Sequence, residues 1–449
     1  MLTPDDLTAT ISVNDLIIGA GLTGLSAGYS LENKEGKYMI LESNPKVGGK
    51  ASSEYKDGFT FDITGHWLHL RNLHVKKLVH MLCGADHFIE VQRISSIWSQ
   101  GCNTRYPFQA NLYGLPSEVI KECLLDIIHA TYHPPAQEPH SFQDWLRAYF
   151  GKGIAQHFMI PYNRKLWGSS FDSLTSEWCQ RFIPKPNLEE VISGAIGSPQ
   201  NHLGYNVQFL YPRKGGIQSL SDALYRQLDP NRVCCSASIS EVNLKKRYVT
   251  LQNGTRIQYT SLVNTSPLPL FLDLCAHADV LPLALQNAQQ ALKAIDVVYL
   301  NVAIMGSLSR PDHWVYIPDS EWPIYRIGSF TNANPAMAPE GCASLYIELS
   351  DRTSSVETLR PCIEKLLVDM HWIQDPSQII FIDRKVIPNA YVVYDQYYSS
   401  AKMTIHKWLG SFGVSSIGRY GDWNYSSMED ALIAGLTVGQ QSSIDDERT

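Results

Sequence analysis

Residues 16–24 read LIIGAGLTG, a short apolar strand that runs directly into a turn rich in glycine. A helical pattern follows at residues 25–31, and a second apolar strand at residues 38–41 ends on Glu42. This order is typical of a dinucleotide-binding βαβ unit, in which glycines let the backbone approach a pyrophosphate at the positive N-terminus of the helix. Glu42 is placed to accept hydrogen bonds from both ribose hydroxyls, and its charge disfavours the 2′-phosphate of NADP. The turn supplies Gly19, Gly21, Thr23 and Gly24.

A second glycine pair follows the second strand and favours FAD over NAD. Gly48 and Gly49 precede Lys50, and residues 62–66 read DITGH. The pair lets another loop pass close to the same dinucleotide, which NAD does not require and which is typical of FAD proteins. The alternative is an ordinary strand-turn-helix of an α/β domain. The joint occurrence of the glycine turn, the acidic Glu42 and the second glycine pair argues against this alternative.

Composition indicates a folded protein of two or three domains. The chain has 449 residues, 44% of them hydrophobic and 18% charged, with a net charge of −7 and no basic run. Nucleic acid is therefore not expected as a partner, and local arginines must meet any anionic ligand. No metal-like spacing of cysteines or histidines is present, so no metal site is predicted.

The cysteines and the N-terminus indicate a reducing compartment. Nine cysteines lack any CxxC spacing, and the adjacent pair Cys234 and Cys235 stands in a strand-like stretch, as buried thiols would. Residues 1–12 are polar, and no apolar run approaches the ~18 residues of a membrane span. A cytoplasmic location without a membrane span is expected. The sequence leaves the oligomeric state open.

The order of patterns predicts an α/β fold: a Rossmann-type FAD-binding domain with a helical insertion and a mainly antiparallel β-sheet domain. The FAD-binding domain is predicted to be discontinuous and to comprise residues 1–110, 205–290 and 410–449. Residues 111–204 form the helical substrate-binding insertion and 291–409 the β-sheet substrate domain, with a helix at 356–370. A last helix, from about Ser427 to Gln440, follows residues 418–423 (GRYGDW) and is expected to direct its N-terminal amides at the flavin.

Two groups of aromatic and polar residues are the candidates for binding a substrate. Tyr106, Phe108 and Gln109 offer rings for stacking on a planar base and an amide to contact its edge, although an aromatic corner in the core is the commoner outcome. Arginines and tyrosines on separate elements suit a diphosphate, because guanidinium groups match its charge and phenols its remaining oxygens. This second group comprises Arg181, Tyr316, Tyr325, Arg326, Tyr391, Tyr394, Arg419 and Tyr425.

With these motifs the chain resembles the UDP-galactopyranose mutases of the eukaryotic form, within the superfamily of FAD-dependent amine oxidases and protoporphyrinogen oxidases. The similarity runs from about Asp15 to Gly439. The motifs that carry it are residues 106–109 (YPFQ), 142–145 (FQDW), 158–159 (FM), 161–163 (PYN) leading to Trp167, 181–188, Asn206, 211–216, 325–326 (YR) and 418–421 (GRYG).

The resemblance implies a role for each matching residue. The uracil would be held by Tyr106, Phe108, Gln109 and Asn163. The diphosphate would be bound by Arg326, Tyr316, Tyr391 and Tyr425. The sugar side would be lined by Arg181, Trp167, Asn206 and Arg419, and His66 would face the flavin, with His66, Arg181, Arg326 and Arg419 as the catalytic set. The cofactor would be held by Gly19, Gly21, Thr23, Gly24, Glu42, Gly48, Gly49, Lys50, Gly65, Gly418 and Met428.

The resemblance also implies the reaction, an isomerisation of a UDP-sugar such as UDP-galactopyranose. N5 of reduced FAD attacks the anomeric carbon, UDP leaves, and the ring recloses in the furanose form. Two alternatives stay open: a FAD-dependent oxidoreductase of the amine oxidase or protoporphyrinogen oxidase type, and a non-catalytic nucleotide-sugar-binding protein. The first is favoured by residues 391–395 and 426–430, which look oxidase-like. Ala333 stands where the family usually has an aromatic that contacts the diphosphate, which leaves the identity of the sugar open.

Overall fold

The computed structural model describes residues 2–7, 11–32, 37–179, 183–200, 203 and 207–446, with side chains up to residue 440. Two large sheets, a helical segment and a C-terminal helix make up the described chain. Its helices are Leu22–Leu31, Leu73–Cys83, Ser117–Tyr132, Phe142–Ile154, Ile160–Trp167, Leu188–Ala195, Gln218–Tyr225, Leu268–Ala278, Leu283–Ala291, Phe330–Ala333, Val356–Asp369, Tyr398–Gly410, Gly418–Gly421 and Met428–Asp446.

The first sheet contains the strand that precedes the glycine turn. Ile11–Ile18 pairs in parallel with Tyr38–Leu41 on one side and with Arg256–Asn264 on the other. Leu16 and Ile17 are fully buried, as expected for a parallel strand covered on both faces. The order of the strands is Ile239–Asn243, Tyr248–Leu251, Arg256–Asn264, Ile11–Ile18, Tyr38–Leu41 and Val233–Cys234, with Val414–Ser416 beside the end of Arg256–Asn264.

The C-terminal helix covers the helix of the βαβ unit. Met428–Asp446 packs on Leu22–Leu31, and small residues allow the close approach. A Cβ added at Gly435 would lie 2.0 Å from Ser26 Oγ. The N-terminus of the C-terminal helix is thereby held beside the N-terminus of the first helix.

The second sheet is antiparallel apart from one parallel pair. Its order is Ile379–Val392, Ala294–Met305, Cys342–Leu349, Ile324–Ser329, Trp314–Tyr316, Ser95–Ser99 and Cys102–Arg105. The helix Val356–Asp369 packs its buried side chains, such as Ile363 and Leu366, into the same core as the strands. The last two strands come from within residues 1–110, so the second sheet crosses the boundary predicted between the FAD-binding and β-sheet domains.

Smaller elements connect the two sheets. Phe88–Gln92 pairs with Gln208–Pro212, and Ser53–Lys56 pairs with Phe59–Asp62. Asp62 is buried and accepts hydrogen bonds from Ser53 Oγ at 2.6 Å, Tyr211 Oη at 2.6 Å and the Ile217 amide at 3.0 Å. Burial nevertheless raises the pKa of this carboxyl to about 6.

The helical segment has its own core, which includes the fully buried Trp145. Its helix Phe142–Ile154 begins where Ser141 Oγ accepts from the Asp144 amide at 3.1 Å, which caps the helix. One π-helical turn, Ala155–Met159, joins it to Ile160–Trp167. Such turns realign a helix and are frequent at functional sites.

All nine cysteines lie in the described part of the chain and are free thiols. Cys234 and Cys235 are buried, and burial raises their pKa values to about 11 and about 12. The predicted buried thiols are confirmed.

Among the described helices, none has the length and apolar character needed to cross a membrane.

Candidate functional site

A single cleft of about 940 Å³ joins the glycine turn of the first sheet to the aromatic and basic residues predicted for substrate binding. Its walls come from both sheets, the helical segment and the segment before the C-terminal helix. Pockets of this size are typical of small-molecule and cofactor sites. We call the end lined by the glycine turns the dinucleotide cradle and the end lined by Tyr106, Arg326 and Tyr425 the substrate wall.

The dinucleotide cradle is built from two backbone loops in contact. Gly48 donates from its amide to the Ala20 carbonyl at 2.8 Å, and a Cβ on Gly49 would lie 3.1 Å from the Gly21 Cα. A Cβ on Gly24 would lie 1.8 Å from the Gly19 carbonyl oxygen. Side chains at these positions would displace the loops and fill the cleft in front of the first helix. The bare backbone at a helix N-terminus fits a dinucleotide pyrophosphate.

Glu42 ties the second strand to the glycine turn. It is 5% exposed and lines the cleft. Its Oε2 accepts from the Ala20 amide at 2.8 Å, and its Oε1 accepts from the Asn44 amide at 2.8 Å and from Asn44 Nδ2 at 2.7 Å. A carboxylate has about four acceptor positions. Ser43 Oγ also donates to Oε1, at 3.4 Å, so among the described residues only the second position of Oε2 is left for a ribose hydroxyl, where the sequence predicts two.

Two other predicted cofactor residues, Gly418 and Met428, lie near the cradle. Gly418 has φ +78°, and a Cβ there would lie 2.4 Å from Thr23 Oγ1. Met428 opens the C-terminal helix and lines the cleft, and Ser427 Oγ caps that helix by accepting from the Asp430 amide at 3.1 Å. The helix N-terminus thus lies at the cleft, and the orientation of its amides toward the flavin stays a prediction.

The predicted flavin-facing loop lies between the cradle and the substrate wall. Gly65 has no room for a side chain, because a Cβ would lie 2.5 Å from Tyr346 Oη. His66 Nδ1 contacts the Ile63 carbonyl, so the ring proton resides on Nδ1 and Nε2 is free to accept. Burial lowers the pKa of His66 to about 4, and the nearby charges of Arg419 and Arg326 act in the same direction. Burial also lowers the pKa of Lys50, which lines the cleft.

The residues predicted for the base surround one end of the substrate wall. Tyr106 and Tyr316 stack with ring centroids 5.0 Å apart, and both line the cleft. Gln109 donates from Nε2 to the Pro184 carbonyl at 2.9 Å, and Asn163 donates from Nδ2 to the Met159 carbonyl at 2.8 Å. These bonds fix both amides and leave their carbonyl oxygens to accept from a ligand.

Phe108 lies behind this group. It is fully buried and stacks on Phe158, which itself lines the cleft, at 5.0 Å. Phe108 thus supports the wall through Phe158, whereas the sequence places it against the base.

Arg326 lies in the substrate wall and forms an ion pair with Glu348. Arg326 Nη2 donates to Glu348 Oε1 at 2.5 Å, and the two residues face each other across neighbouring antiparallel strands. Both line the cleft, although Glu348 is only 1% exposed. Glu348 is absent from the sequence predictions; a lone carboxylate in the apolar strand Cys342–Leu349 was the available signal.

Tyrosines and a second arginine complete the substrate wall. Tyr391 and Tyr425 stack at 5.5 Å, and Trp167 meets Tyr391 edge-on at 5.9 Å. The Arg419 guanidinium lies 4.6 Å from the Tyr425 ring and donates to the carbonyls of Ser426 at 2.8 Å and Ala390 at 2.7 Å. Both acceptors are neutral carbonyls, so these two hydrogen bonds leave the positive charge of Arg419 uncompensated at the cleft.

Three sequence-predicted positions have a different outcome. Arg181 and Asn206 lie outside the described residues. Ala333 is 6% exposed and belongs to an aromatic core with Phe61, Trp67 and other residues. In the described ranges, no group of three or more His, Cys, Asp or Glu side chains is placed to hold a metal ion.

Comparison with protein families finds one match, to the flavin containing amine oxidoreductases, at residues 22–314. Two curated relatives align over short segments of the chain. 4,4′-Diapolycopene oxygenase of Methylomonas sp is 34% identical over 83 residues, 18% of this chain and 17% of that protein. Polyamine oxidase 2 of Arabidopsis thaliana is 37% identical over 60 residues, 13% of this chain and 12% of that protein. The chain thus spans less than a fifth of the length of these relatives.

Solved structures align over nearly the whole chain. A crystal structure of reduced UDP-galactopyranose mutase has a TM-score of 0.88 at 24% identity, over 96% of this chain and 95% of that chain. A putative protoporphyrinogen oxidase from Exiguobacterium sp. 255-15 has a TM-score of 0.72 at 16% identity, over 98% of this chain and 99% of that chain. Wild-type putrescine oxidase bound to putrescine has a TM-score of 0.67 at 17% identity, over 97% and 100%. These alignments confirm the predicted fold class.

Proposed function

This chain belongs to the flavin containing amine oxidoreductases and binds FAD, and from that premise we propose that it is a flavin-dependent mutase. Its substrate is a UDP-sugar such as UDP-galactopyranose, which it interconverts between the pyranose and furanose forms. The reaction is an isomerisation, with FAD active in its reduced form.

The observation that supports this proposal is the composition of the substrate wall. A stacked tyrosine pair and two fixed amides line the cleft together with Arg326, Arg419 and Tyr425. Guanidinium groups and phenols bind a diphosphate well, and the aromatic pair suits an attached base. A cationic amine would meet two arginines and one carboxylate, Glu348, at the same wall, and this net positive charge is unfavourable for it.

The roles of the side chains follow from their positions in the cleft. Tyr106 and Tyr316 stack on or beside the uracil, and Gln109 and Asn163 contact its edge. One of their carbonyl oxygens accepts from the single uracil N–H, and the second hydrogen of an amide nitrogen donates to a uracil carbonyl. Arg326, Tyr391 and Tyr425 bind the diphosphate, and Trp167 and Arg419 lie on the sugar side. Arg181 and Asn206 stay predictions for that side.

In this proposal the protein stabilises charge and holds the leaving group. When bound in its reduced form, FAD supplies the nucleophile for the anomeric carbon. Arg326 stabilises the negative charge that develops as the diphosphate departs, and the aromatic wall keeps UDP in the cleft for its return. His66 is neutral at physiological pH, so it accepts a hydrogen bond at Nε2 without adding positive charge beside the arginines.

A turnover assay tests the mutase proposal. The dithionite-reduced protein is incubated with UDP-galactofuranose, and the products are separated by chromatography. We expect UDP-galactopyranose to form with no net consumption of reductant per turnover. Product formation in step with NAD(P)H oxidation, or no conversion of any UDP-sugar, would contradict the proposal.

The second candidate is a FAD-dependent oxidoreductase of the amine oxidase or protoporphyrinogen oxidase type. The family match and the oxidase among the curated relatives favour it. Its test is oxygen consumption by the FAD-loaded protein with polyamines and with protoporphyrinogen. Turnover there, without conversion of UDP-sugars, would select this candidate.

A further inference from the structure

Glu348 is a buried carboxylate at the substrate wall that none of the roles above includes. Its strand Cys342–Leu349 pairs with Ile324–Ser329, and the register places Glu348 directly opposite Arg326. A carboxylate removed from water is costly unless its oxygens are paired. The question is therefore what each of its two oxygens binds.

Only one oxygen is accounted for within the described part of the chain. Oε1 accepts from Arg326 Nη2 at 2.5 Å, whereas Oε2 is buried and has no hydrogen-bond partner among the residues that the structure describes. Arg326 Nε is also buried without a partner there. Both residues line the cleft, so the ion pair keeps one unused acceptor and one unused donor at the substrate wall.

A second buried ion pair shows what a purely structural one looks like in this fold. Arg310 Nε donates to Asp312 Oδ2 at 2.9 Å, and Ser96 Oγ donates to Asp312 Oδ1 at 2.7 Å. The remaining Arg310 nitrogens donate to the Met370 carbonyl, Ser96 Oγ and Asn103 Oδ1. This pair lies away from the cleft and is fully hydrogen-bonded. The contrast indicates that the Arg326–Glu348 pair is completed by a ligand.

We propose that Glu348 determines specificity for the glycosyl part of the substrate, a role that rests on the proposed function. Its Oε2 accepts a hydrogen bond from a sugar hydroxyl, while Arg326 binds the adjacent phosphate. The same carboxylate opposes a nucleoside diphosphate that lacks the sugar, because the terminal phosphate then carries more negative charge and offers no hydroxyl donor. Glu348 thus favours the UDP-sugar over free UDP.

Glu348→Gln tests this inference, because it keeps the volume and the neighbouring strands but removes the charge. Dissociation constants for UDP and for UDP-galactopyranose are measured by calorimetry on the FAD-loaded protein. We expect UDP-galactopyranose to bind about tenfold more weakly or worse, and UDP to bind equally or more tightly. Asp312→Asn is the matched control, and it should leave the ratio of the two constants unchanged even if it lowers the melting temperature.

A change in both dissociation constants by the same factor would overturn the inference, since it would mean that Glu348 only positions Arg326. A series of UDP-galactoses that each lack one hydroxyl gives a second measurement on the unaltered protein. One member should bind about tenfold more weakly than UDP-galactopyranose, and the difference should disappear in Glu348→Gln. If Glu348→Gln fails to retain FAD, the series alone decides, and equal binding of all members would overturn the inference.

The outcomes also separate this inference from the proposed function. Failure of the unaltered protein to bind UDP-galactopyranose would contradict the mutase proposal and the role of Glu348 with it. Normal binding and turnover by the unaltered protein, with an unchanged binding ratio in Glu348→Gln, would contradict the role of Glu348 alone.

Discussion

The dinucleotide cradle and the substrate wall lie in one cleft but are built in different ways. The cradle consists of backbone, where Gly21 and Gly49 meet and Gly24 leaves space for the Gly19 carbonyl. The substrate wall consists of side chains such as Arg326, Tyr391 and Tyr425, supplied by three separate parts of the chain.

This difference predicts how the cradle and the substrate wall each respond to a substitution. An added atom in the cradle meets backbone that cannot rotate away, so one methyl group displaces a loop. A side chain removed from the substrate wall leaves the backbone in place and removes a defined interaction. A single substitution in the cradle should therefore abolish cofactor binding. Each substitution in the substrate wall should weaken substrate binding by a limited amount.

Gly24→Ala is expected to have the largest effect. Its Cβ would lie 1.8 Å from the Gly19 carbonyl oxygen, so the glycine turn must open and FAD binding should be lost. The measurement is flavin absorbance per mole of purified protein. Gly410→Ala is the matched control, because a Cβ there meets no atom within 4 Å among the described residues, and it should keep full flavin content. A Gly24→Ala protein with full flavin would contradict the backbone account of the cradle.

Arg326→Ala is expected to weaken the substrate wall strongly while leaving the cradle intact. Arg326 and the substrate diphosphate form a buried charged pair in the proposed complex. Removing one partner of such a pair typically costs about 2–5 kcal/mol, which should appear as a fall in kcat/KM for the UDP-sugar. Arg326→Lys should restore little of the kcat/KM lost in Arg326→Ala, because a single ammonium group cannot replace the two-nitrogen fork of the guanidinium. Flavin content is the internal check.

The control for Arg326 is the exposed Arg256, where Arg256→Ala should leave kcat/KM unchanged. Near-normal turnover by Arg326→Lys would show that a point charge suffices and that Arg326 is not a diphosphate fork.

Ala333→Tyr tests whether the wall includes the position where the related mutases carry an aromatic. Because Ala333 is buried in an aromatic core, a larger side chain should lower the free energy of unfolding by about 1–3 kcal/mol. The dissociation constant of UDP should not improve. Ala336→Tyr, at an exposed neighbouring position, is the control and should change neither quantity. Tighter UDP binding with unchanged stability would place residue 333 at the cleft.

For a change of one pH unit, His66 gives the smallest effect, a dependence of stability on pH. Its pKa is about 4 when folded and 6.5 ordinarily, so the unfolded chain takes up the proton first as the pH falls. The free energy of unfolding should therefore decrease between about pH 6.5 and about pH 4, by at most about 1.4 kcal/mol per pH unit for this group.

Denaturant unfolding at several pH values checks this prediction, with His66→Gln expected to give a shallower dependence. Part of the slope should persist, because burial also lowers the pKa of His69 to about 4. An identical slope in His66→Gln would mean that His66 is protonated equally in both states.

Local patterns in the sequence determined the cradle and three of the helices. The glycine turn, Glu42 and the second glycine pair predicted the FAD-binding unit, because each depends on a few neighbouring backbone angles. The helix predicted at 356–370 is Val356–Asp369, and the one predicted from about Ser427 is Met428–Asp446. Capping and hydrophobic period are properties of short segments, so the sequence carries them directly.

Tertiary structure alone decided that Glu348 faces the cleft and that Phe108 and Ala333 do not. The register between Ile324–Ser329 and Cys342–Leu349 is irregular between Ile324 and Arg326, and strand irregularities of this kind redirect side chains. Tyr325 is consequently buried, while Arg326 lies in the cleft opposite Glu348. Phe108 and Ala333 lie in the core for a similar reason, since their surroundings come from segments distant in sequence. Pairing across strands and packing between segments depend on the whole fold, and no local pattern specifies them.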